Sequence, residues 1–301
     1  MTRETDHICL CICTFKRPEY LKRLLEDLSD QDTEGLFTYS IVVVDNDRSE
    51  SAKSVVSAFG AASKVPVRYS VEPQQNIALA RNQAVANTEG NFVAFIDDDE
   101  FPTKHWLLTL FKACRKYGVD GVLGPVKPHF GKDTPKWVVK GKFYDRPSYP
   151  TGFVIDWGKG RTGNVLLKKK IFEGEEQPFR PEFLSGEDQD FFRRMIEKGH
   201  VFIWCEEAVA YEYVPEIRWK RSFMLKRALL RGKARIFHPT FGAGEIAKSV
   251  LAVPVYTVAL PVALVLGQDK FMVVLVKLCD HLGKCLAVLG INPIRDPYVT
   301  G

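Results

Sequence analysis

Short apolar runs of strand length take turns along this chain with stretches whose apolar residues recur every three to four positions. Residues 8–13 read as a first strand, and after a turn at Lys16-Arg17-Pro18 a helix begins near Pro18 with Leu21, Leu24, Leu25 and Leu28 on one face. A second strand over 39–44 ends in Asp45-Asn46-Asp47. A helix through Val55 and Val56, a strand over 67–71, a helix over 77–86, a strand over 92–96 and a helix over 106–117 follow. Residues 124–162 are rich in Gly, Pro and aromatics, among them Trp137, Tyr144, Tyr149 and Trp157, and read as a long loop region over a site, with packing or sugar-stacking roles for the rings. A strand over 164–167, a helix opened by Gly186-Glu187-Asp188 with Phe191, Phe192, Met195 and Ile196 on its apolar face, and strands near 201–204 and 208–213 close this part. Such alternation predicts an α/β fold with a mostly parallel sheet covered on both faces.

One strand stops abruptly on Asp97-Asp98-Asp99-Glu100. Crowded carboxylates repel one another unless something positive is held among them. In an extended chain Asp97 and Asp99 would share a face while Asp98 turned away. Oxygen ligands at a strand's carboxyl end suit a hard cation such as Mg²⁺ or Mn²⁺, at the edge where open α/β sheets bind ligands. A solvated acidic turn before a helix starting near Thr103 is the plainer alternative. Neither G-x-G-x-x-G after the first strand nor G-x-x-x-x-G-K-[ST] occurs, which removes the main support for a dehydrogenase or P-loop enzyme.

The apolar share of 46% and charged share of 26% are those of a globular protein. The charge is uneven: Arg218 to Arg235 holds eight basic residues and no acid, and subtracting those eight from the net +5 leaves −3. A local surface-binding segment therefore explains the charge better than a generally cationic protein, and no nucleic-acid reading motif accompanies it. The polar residues 1–7 point to a cytoplasmic protein, and the seven cysteines, without a CxxC pair, read as small buried residues in a reducing compartment. From Ser249 to Gln268 twenty residues carry no charge, a length that would cross a bilayer, whereas 271–289 is interrupted by Lys277, Asp280, His281 and Lys284. With Trp219, Phe223, Leu230 and Phe237 at roughly helical spacing among the basic residues, 218–290 reads as a re-entrant or interfacial segment on an anionic membrane surface. The alternative is a core or dimer helix pair with a solvated basic face.

Cys13-Thr14-Phe15-Lys16-Arg17-Pro18, Val42-Val43-Val44-Asp45-Asn46, Asp97-Asp98-Asp99 and Gly186-Glu187-Asp188 together resemble, across 7–215, the inverting family 2 glycosyltransferases of the GT-A fold. More narrowly, with Gly124-Pro125-Val126 and Gln189-Asp190-Phe191-Phe192, the chain is similar to ExoM-like transferases of bacterial exopolysaccharide assembly. The resemblance implies a glycosyltransferase domain over 1–215, a membrane-associating segment over 216–301, and transfer of one hexose, glucose by this likeness, from a UDP-sugar to a lipid-linked saccharide acceptor at the cytoplasmic face of the inner membrane.

The donor would meet Thr14, Arg17, Asp45 facing the uracil, Asn76, Arg81, Asp97 and Asp98. Asn76 stands where relatives have a Gly, a position expected to need left-handed φ. Asp99 would hold the metal, with Glu212 standing in for a His found in many relatives. Asp188 is implied as general base, although the same residue also suits a helix N-cap. Glu187 either raises the pKa of Asp188 or serves as a first-turn acid. The acceptor side is expected around Glu187, Trp157 and Asn164. The Q-x-x-R-W motif of processive synthases is absent, Pro215 standing in place of its Gln, so one sugar per encounter is expected. A polyprenyl-phosphate glycosyltransferase and a catalytically silent nucleotide-sugar-binding scaffold are the competing readings.

Overall fold

The computed structural model describes residues 5–183, 186–237, 241–292 and 294, so parts of the expected 216–301 segment lie outside the described residues. The chain divides into two compact units, one of residues 1–127, 146–182 and 186–213, the other of 128–145, 183–185 and 214–301. The division after 213 falls close to the expected 215, but 128–145, read as loop, groups with the C-terminal segment. The cause is apolar: Val138 and the aromatics around it supply part of that unit's core.

In the first unit the elements run β1 (Asp6–Thr14), α1 (Pro18–Leu28), β2 (Phe37–Asp45), α2 (Lys53–Ala62), β3 (Val67–Val71), α3 (Ile77–Ala86), β4 (Phe92–Phe95), β5 (Glu100–Pro102), α4 (Trp106–Tyr117), β6 (Gly121–Leu123), β7 (Val126–His129, at the unit boundary), then, after α5 (Lys136–Lys140) of the second unit, β8 (Val165–Lys168), α6 (Glu187–Glu197), β9 (Phe202–Trp204) and β10 (Ala210–Tyr213). Seven strands form one sheet in the order β3-β2-β1-β4-β8-β6-β9. All of its pairings are parallel except those of β8, which runs antiparallel to β4 and β6. The two-residue period of β1 sorts its side chains between two cores. Ile8, Leu10 and Ile12 join the buried leucines of α1 on one face, while Cys9, Cys11 and Cys13 pack with Ala80 and Ala84 of α3 on the other. All seven cysteines are free thiols.

Parallel pairing of β1, β2 and β4 brings Thr14, Asp45 and the acidic run to one sheet edge. The short strand β5 is an addition to the expected elements. It pairs antiparallel with β10 and sets Glu100 directly opposite Glu212.

In the second unit α7 (Glu216–Trp219) and α8 (Arg221–Arg235) precede α9 (Ala243–Leu266) and α10 (Gln268–Val288). Helix α10 packs against both α8 and α9. Its contact with α8 is backbone-close: a Cβ on Gly232 would stand 2.2 Å from the Asp280 carbonyl oxygen, and one on Gly283 would stand 2.4 Å from that of Leu229. Val138, Met224 and Met272 are buried there, with Trp219 and Phe271 partly buried against them. Of the stripe read as a lipid-facing side of the basic helix, Phe223 is buried and the Trp219 indole N–H donates to the Val214 carbonyl at 3.2 Å, whereas Leu230 is half-buried and Phe237 is exposed. The large apolar surface left outside belongs to α9 instead, where Leu251, Val255, Val258 and Val262 are each more than 60% exposed.

Candidate active site

Strand β4 ends at Phe95, and Asp97 to Glu100 form a tight turn closed by the Glu100 N–H donating to the Asp97 carbonyl at 3.0 Å. Alternation of faces does not apply inside such a turn. Asp98 is not turned away from Asp99: the Arg17 guanidinium lies 3.2 Å from a carboxylate oxygen of each. Thr14 donates its hydroxyl to the other Asp98 oxygen at 2.7 Å. Asp97 points elsewhere, 3.9 Å from Arg81, with its side chain 46% exposed and thus open to a ligand. Glycine at 163 makes this possible, because a Cβ there would press on Asp97 Oδ2 at 2.7 Å and Glu100 Oε1 at 2.9 Å.

Like charges directly opposite on paired strands are unfavourable. Glu100 and Glu212 tolerate it because Arg146 enters between them, 2.6 Å from Glu212 and 3.9 Å from Glu100. Although one edge of Asp97 stays open, desolvation by the protein crowded around it pushes the carboxyl up, Arg81 opposes this and Asp99 reinforces it. Asp98 is pushed up to about 7, first by burial, against the pull of Arg17. Glu100 is raised well above the usual range by burial and by Asp97, and its Oε1 is buried without a hydrogen-bond partner. This is a hard-oxygen set with an orphaned buried acceptor and an excess of carboxylate, which fits a divalent cation. Among the described residues no three such side chains converge into a ready-made cage. A cation here would complete its shell from ligand or water, as Mg²⁺ does with phosphates.

Across the site, Gly186 takes φ +89° and starts α6, so Glu187 and Asp188 lie in its first turn and neither is the N-cap. Glu187 is buried and ion-paired with the buried Arg81. Asp188 accepts from the Gln189 N–H at 2.7 Å and is pushed up to about 6, chiefly by burial and next by Glu187, with Arg81 and Arg161 acting against them. Burial alone would lower the Arg81 pKa, but Glu187, Asp97 and Asp188 carry it upward. One guanidinium thus ties the acidic turn to the start of α6.

The remaining expected residues fall into place less directly. Asp45 is fully buried: Oδ2 accepts from Ala52 N–H at 2.7 Å and Tyr69 O–H at 3.0 Å, and Oδ1 from Asp47 N–H at 3.1 Å. It shapes the pocket edge from within, its carboxylate turned inward. Asn76 is extended at φ −161°, not left-handed, because it is the N-cap of α3. Its side-chain oxygen accepts from Ala78 N–H, and Nδ2 donates to the Pro181 carbonyl. Asn164 is buried with its amide fully engaged, accepting from the Trp106 indole and donating to the Pro125 and Ala208 carbonyls. It supports the framework, with no group left over for an acceptor. Trp157 is half-buried in a 3₁₀ turn against the core. Arg146 and Arg161 were absent from the expected set. Arg161 reaches the surface, but partial desolvation of its guanidinium by the surrounding protein, together with repulsion from Arg146, lowers its pKa while Asp188 opposes this. No local spacing marks either arginine; the β5–β10 register creates the need for Arg146.

The family model described as Glycosyl transferase family 2 matches residues 9–172. The succinoglycan biosynthesis protein ExoM of Rhizobium meliloti is 34% identical over 77% of this chain and 75% of its own length. The glycosyltransferase AglE of Haloferax volcanii is 23% identical over 69% of this chain and 67% of its own. Among solved structures, the mannosyltransferase PcManGT from Pyrobaculum calidifontis, in complex with GDP-Man and Mn²⁺, superposes with a TM-score of 0.63 at 16% identity, covering 94% of this chain and 88% of that one. S. aureus TarS 1–349 in complex with UDP-GlcNAc gives 0.54 at 17% identity over 79% and 69%. Family match, relative and fold agree with three motifs at one sheet edge and a fourth joined to them through Arg81: the chain belongs to glycosyl transferase family 2.

Proposed function

We propose that this chain transfers one hexose, glucose in our reading, from a UDP-sugar to a hydroxyl of a lipid-linked oligosaccharide, with inversion at the anomeric carbon, in bacterial surface or exopolysaccharide synthesis. The observation that carries the reading is the Arg81 bridge, which joins the acidic turn to the helix start bearing Asp188. A donor diphosphate at the turn and an acceptor hydroxyl at Asp188 then belong to one site. The biosynthetic role named for ExoM and the UDP-GlcNAc held by TarS support the donor and the pathway class.

In the reaction the Asp188 carboxylate takes the proton of the acceptor hydroxyl as that oxygen bonds to the anomeric carbon. The bond to UDP breaks on the opposite face, and the diphosphate leaves with the electron pair. Arg17 holds the Asp98 and Asp99 carboxylates, Arg146 sits between Glu100 and Glu212, and Thr14 fixes Asp98. Asp99, with Glu212 nearby, would hold Mg²⁺ or Mn²⁺, which when bound supplies Lewis-acid stabilisation of the leaving diphosphate. We place the enzyme at the cytoplasmic face of the inner membrane; the apolar α9 supports the membrane part of that reading.

A panel of UDP-sugars with membrane lipid extract, read as UDP release and sugar incorporation, tests the activity; no release from any donor would leave only a binding protein. Because Asp188 must be ionised to accept a proton and its carboxyl is held up at about 6, kcat/KM is expected to rise with pH through that value and level off above it. A profile flat between pH 5 and 8 would remove Asp188 from the base role. Asp99→Ala is expected to abolish the Mn²⁺-dependent part of UDP-sugar binding, and calorimetry finding the same affinity with Mn²⁺ present would count against the metal assignment.

A further inference from the structure

Helix α9 is 24 residues long, and its most apolar 18-residue window has a mean hydropathy of 2.2 with only 11% of it buried. By composition it passes for a membrane span. Its neighbour argues otherwise. Helix α10 packs along α9, joined to it through Gly267 alone, and carries Lys270, Lys277 and Lys284. Seven residues are nearly two full turns, so these lysines drift by only about 20° at each step and form one row along α10. At 1.5 Å per residue the row advances about 10.5 Å between lysines, parallel to α9. Lys277 is exposed, the Lys270 side chain is 62% exposed beside Asp269, and Lys284 is paired with Asp280 at 3.3 Å. At the C-terminal end of that row, the Gly232 and Gly283 contacts hold α8, whose fifteen residues include six Lys and Arg, against Asp280 to Lys284.

If α9 stood along the bilayer normal, this row and the cationic α8 beside it would be spread through the hydrocarbon, where charges are costly. If α9 lies in the membrane plane, the exposed Lys270 and Lys277 stand at one depth, that of the lipid phosphates, while Lys284, its side chain 16% exposed, stays on Asp280. The outward side of α9 suits that depth. Leu251, Val255, Val258, Val262 and Val265 are exposed, and the one hydroxyl among them, Thr257, donates back to the Val253 carbonyl at 2.8 Å. Residues 218–290 hold twelve Lys and Arg against three acids, which complements an anionic surface.

We infer that α9 is an in-plane docking face for an anionic phospholipid bilayer, bordered by the α10 lysine row, and that this helix neither spans nor re-enters the membrane. The inference rests on the membrane association proposed above and fixes its geometry.

The test uses the full-length protein added to preformed vesicles of phosphatidylglycerol or phosphatidylcholine. The protein is expected to float with phosphatidylglycerol vesicles, and Lys270→Gln with Lys277→Gln should weaken that binding by about 5-fold per lysine. Lys270→Cys, read against the labelling of the unsubstituted protein, should react with an impermeant maleimide added outside bound vesicles. Protection of that thiol until the vesicles are permeabilised would overturn the in-plane geometry and leave membrane association standing. Absence of flotation would overturn both. Equal binding to both lipids, unaffected by the lysine changes, would remove the lysine row. A dimer in vesicle-free solution that is lost on Val258→Lys would assign the face to a second copy of the chain.

Discussion

Asp188→Asn is expected to lower kcat by about 10²–10⁴-fold, the usual worth of a positioned base, while UDP-sugar affinity stays close to that of the unsubstituted enzyme. Asparagine keeps the shape and the oxygen that accepts from Gln189, so the first turn of α6 has no reason to move. What it loses is the ability to take a proton. The amide also removes a charge that the fold holds at some cost. Burial and Glu187 raise the Asp188 carboxyl to about 6, above its unfolded value, so the ionised form is less at ease folded than unfolded. Such a group stabilises the fold least once pH has risen through its folded pKa. At neutral pH Asp188→Asn should therefore melt no lower than the parent, and any excess in its melting temperature should shrink on acidification through about 6. Loss of turnover without loss of stability separates a catalytic role from a structural one. A variant that turns over normally, or one that fails by unfolding, would remove the assignment.

The parts of this site that could be read from sequence are those that local chemistry constrains. The strands were legible because buried β-structure needs runs such as 92–95, and α1 because Leu21, Leu24, Leu25 and Leu28 repeat on one face. Asp97 to Asp99 stood out because consecutive acids after such a run have few structural explanations. What escaped was set by the folding back of distant segments. Arg146 acquires its place only when β5 and β10 put Glu100 beside Glu212, and no spacing within the chain encodes that register. Extrapolating strand alternation into 97–99 misplaced Asp98 because the backbone turns there. Asn76 looked like a substitute for a left-handed glycine, but its amide caps α3 from an extended conformation. The stripe at 219–237 had the right spacing for a lipid face, yet packing around Met224 and Met272 draws Trp219 and Phe223 inward and leaves only Phe237 exposed.

Arg81→Met should give the largest loss of stability among single changes at this site. Arg81 and Glu187 are 8% and 6% exposed, and the guanidinium also faces Asp97 and Asp188. Removing it leaves a buried carboxylate with no counter-charge beside two others already raised by burial. Breaking one side of such a pair costs about 3–5 kcal/mol, whereas an exposed pair would cost about 0–1 kcal/mol. The magnitude therefore reports whether the bridge is internal. Without Arg81 the folded pKa of Asp97 and Asp188 should rise further above the unfolded values, so the deficit should be greatest above neutral pH and shrink as they protonate. Adding Glu187→Gln removes the stranded charge and should restore much of the loss, a coupling that a double-mutant cycle measures directly. Donor binding should not return with it, because the double variant folds but no longer ties the acidic turn to α6. Thermal unfolding of the single and double variants between pH 5 and 8, beside calorimetry with UDP, reads both effects. A loss under about 1 kcal/mol with no pH trend would mean that Arg81 is solvated and that the two halves of the site are held together by other contacts.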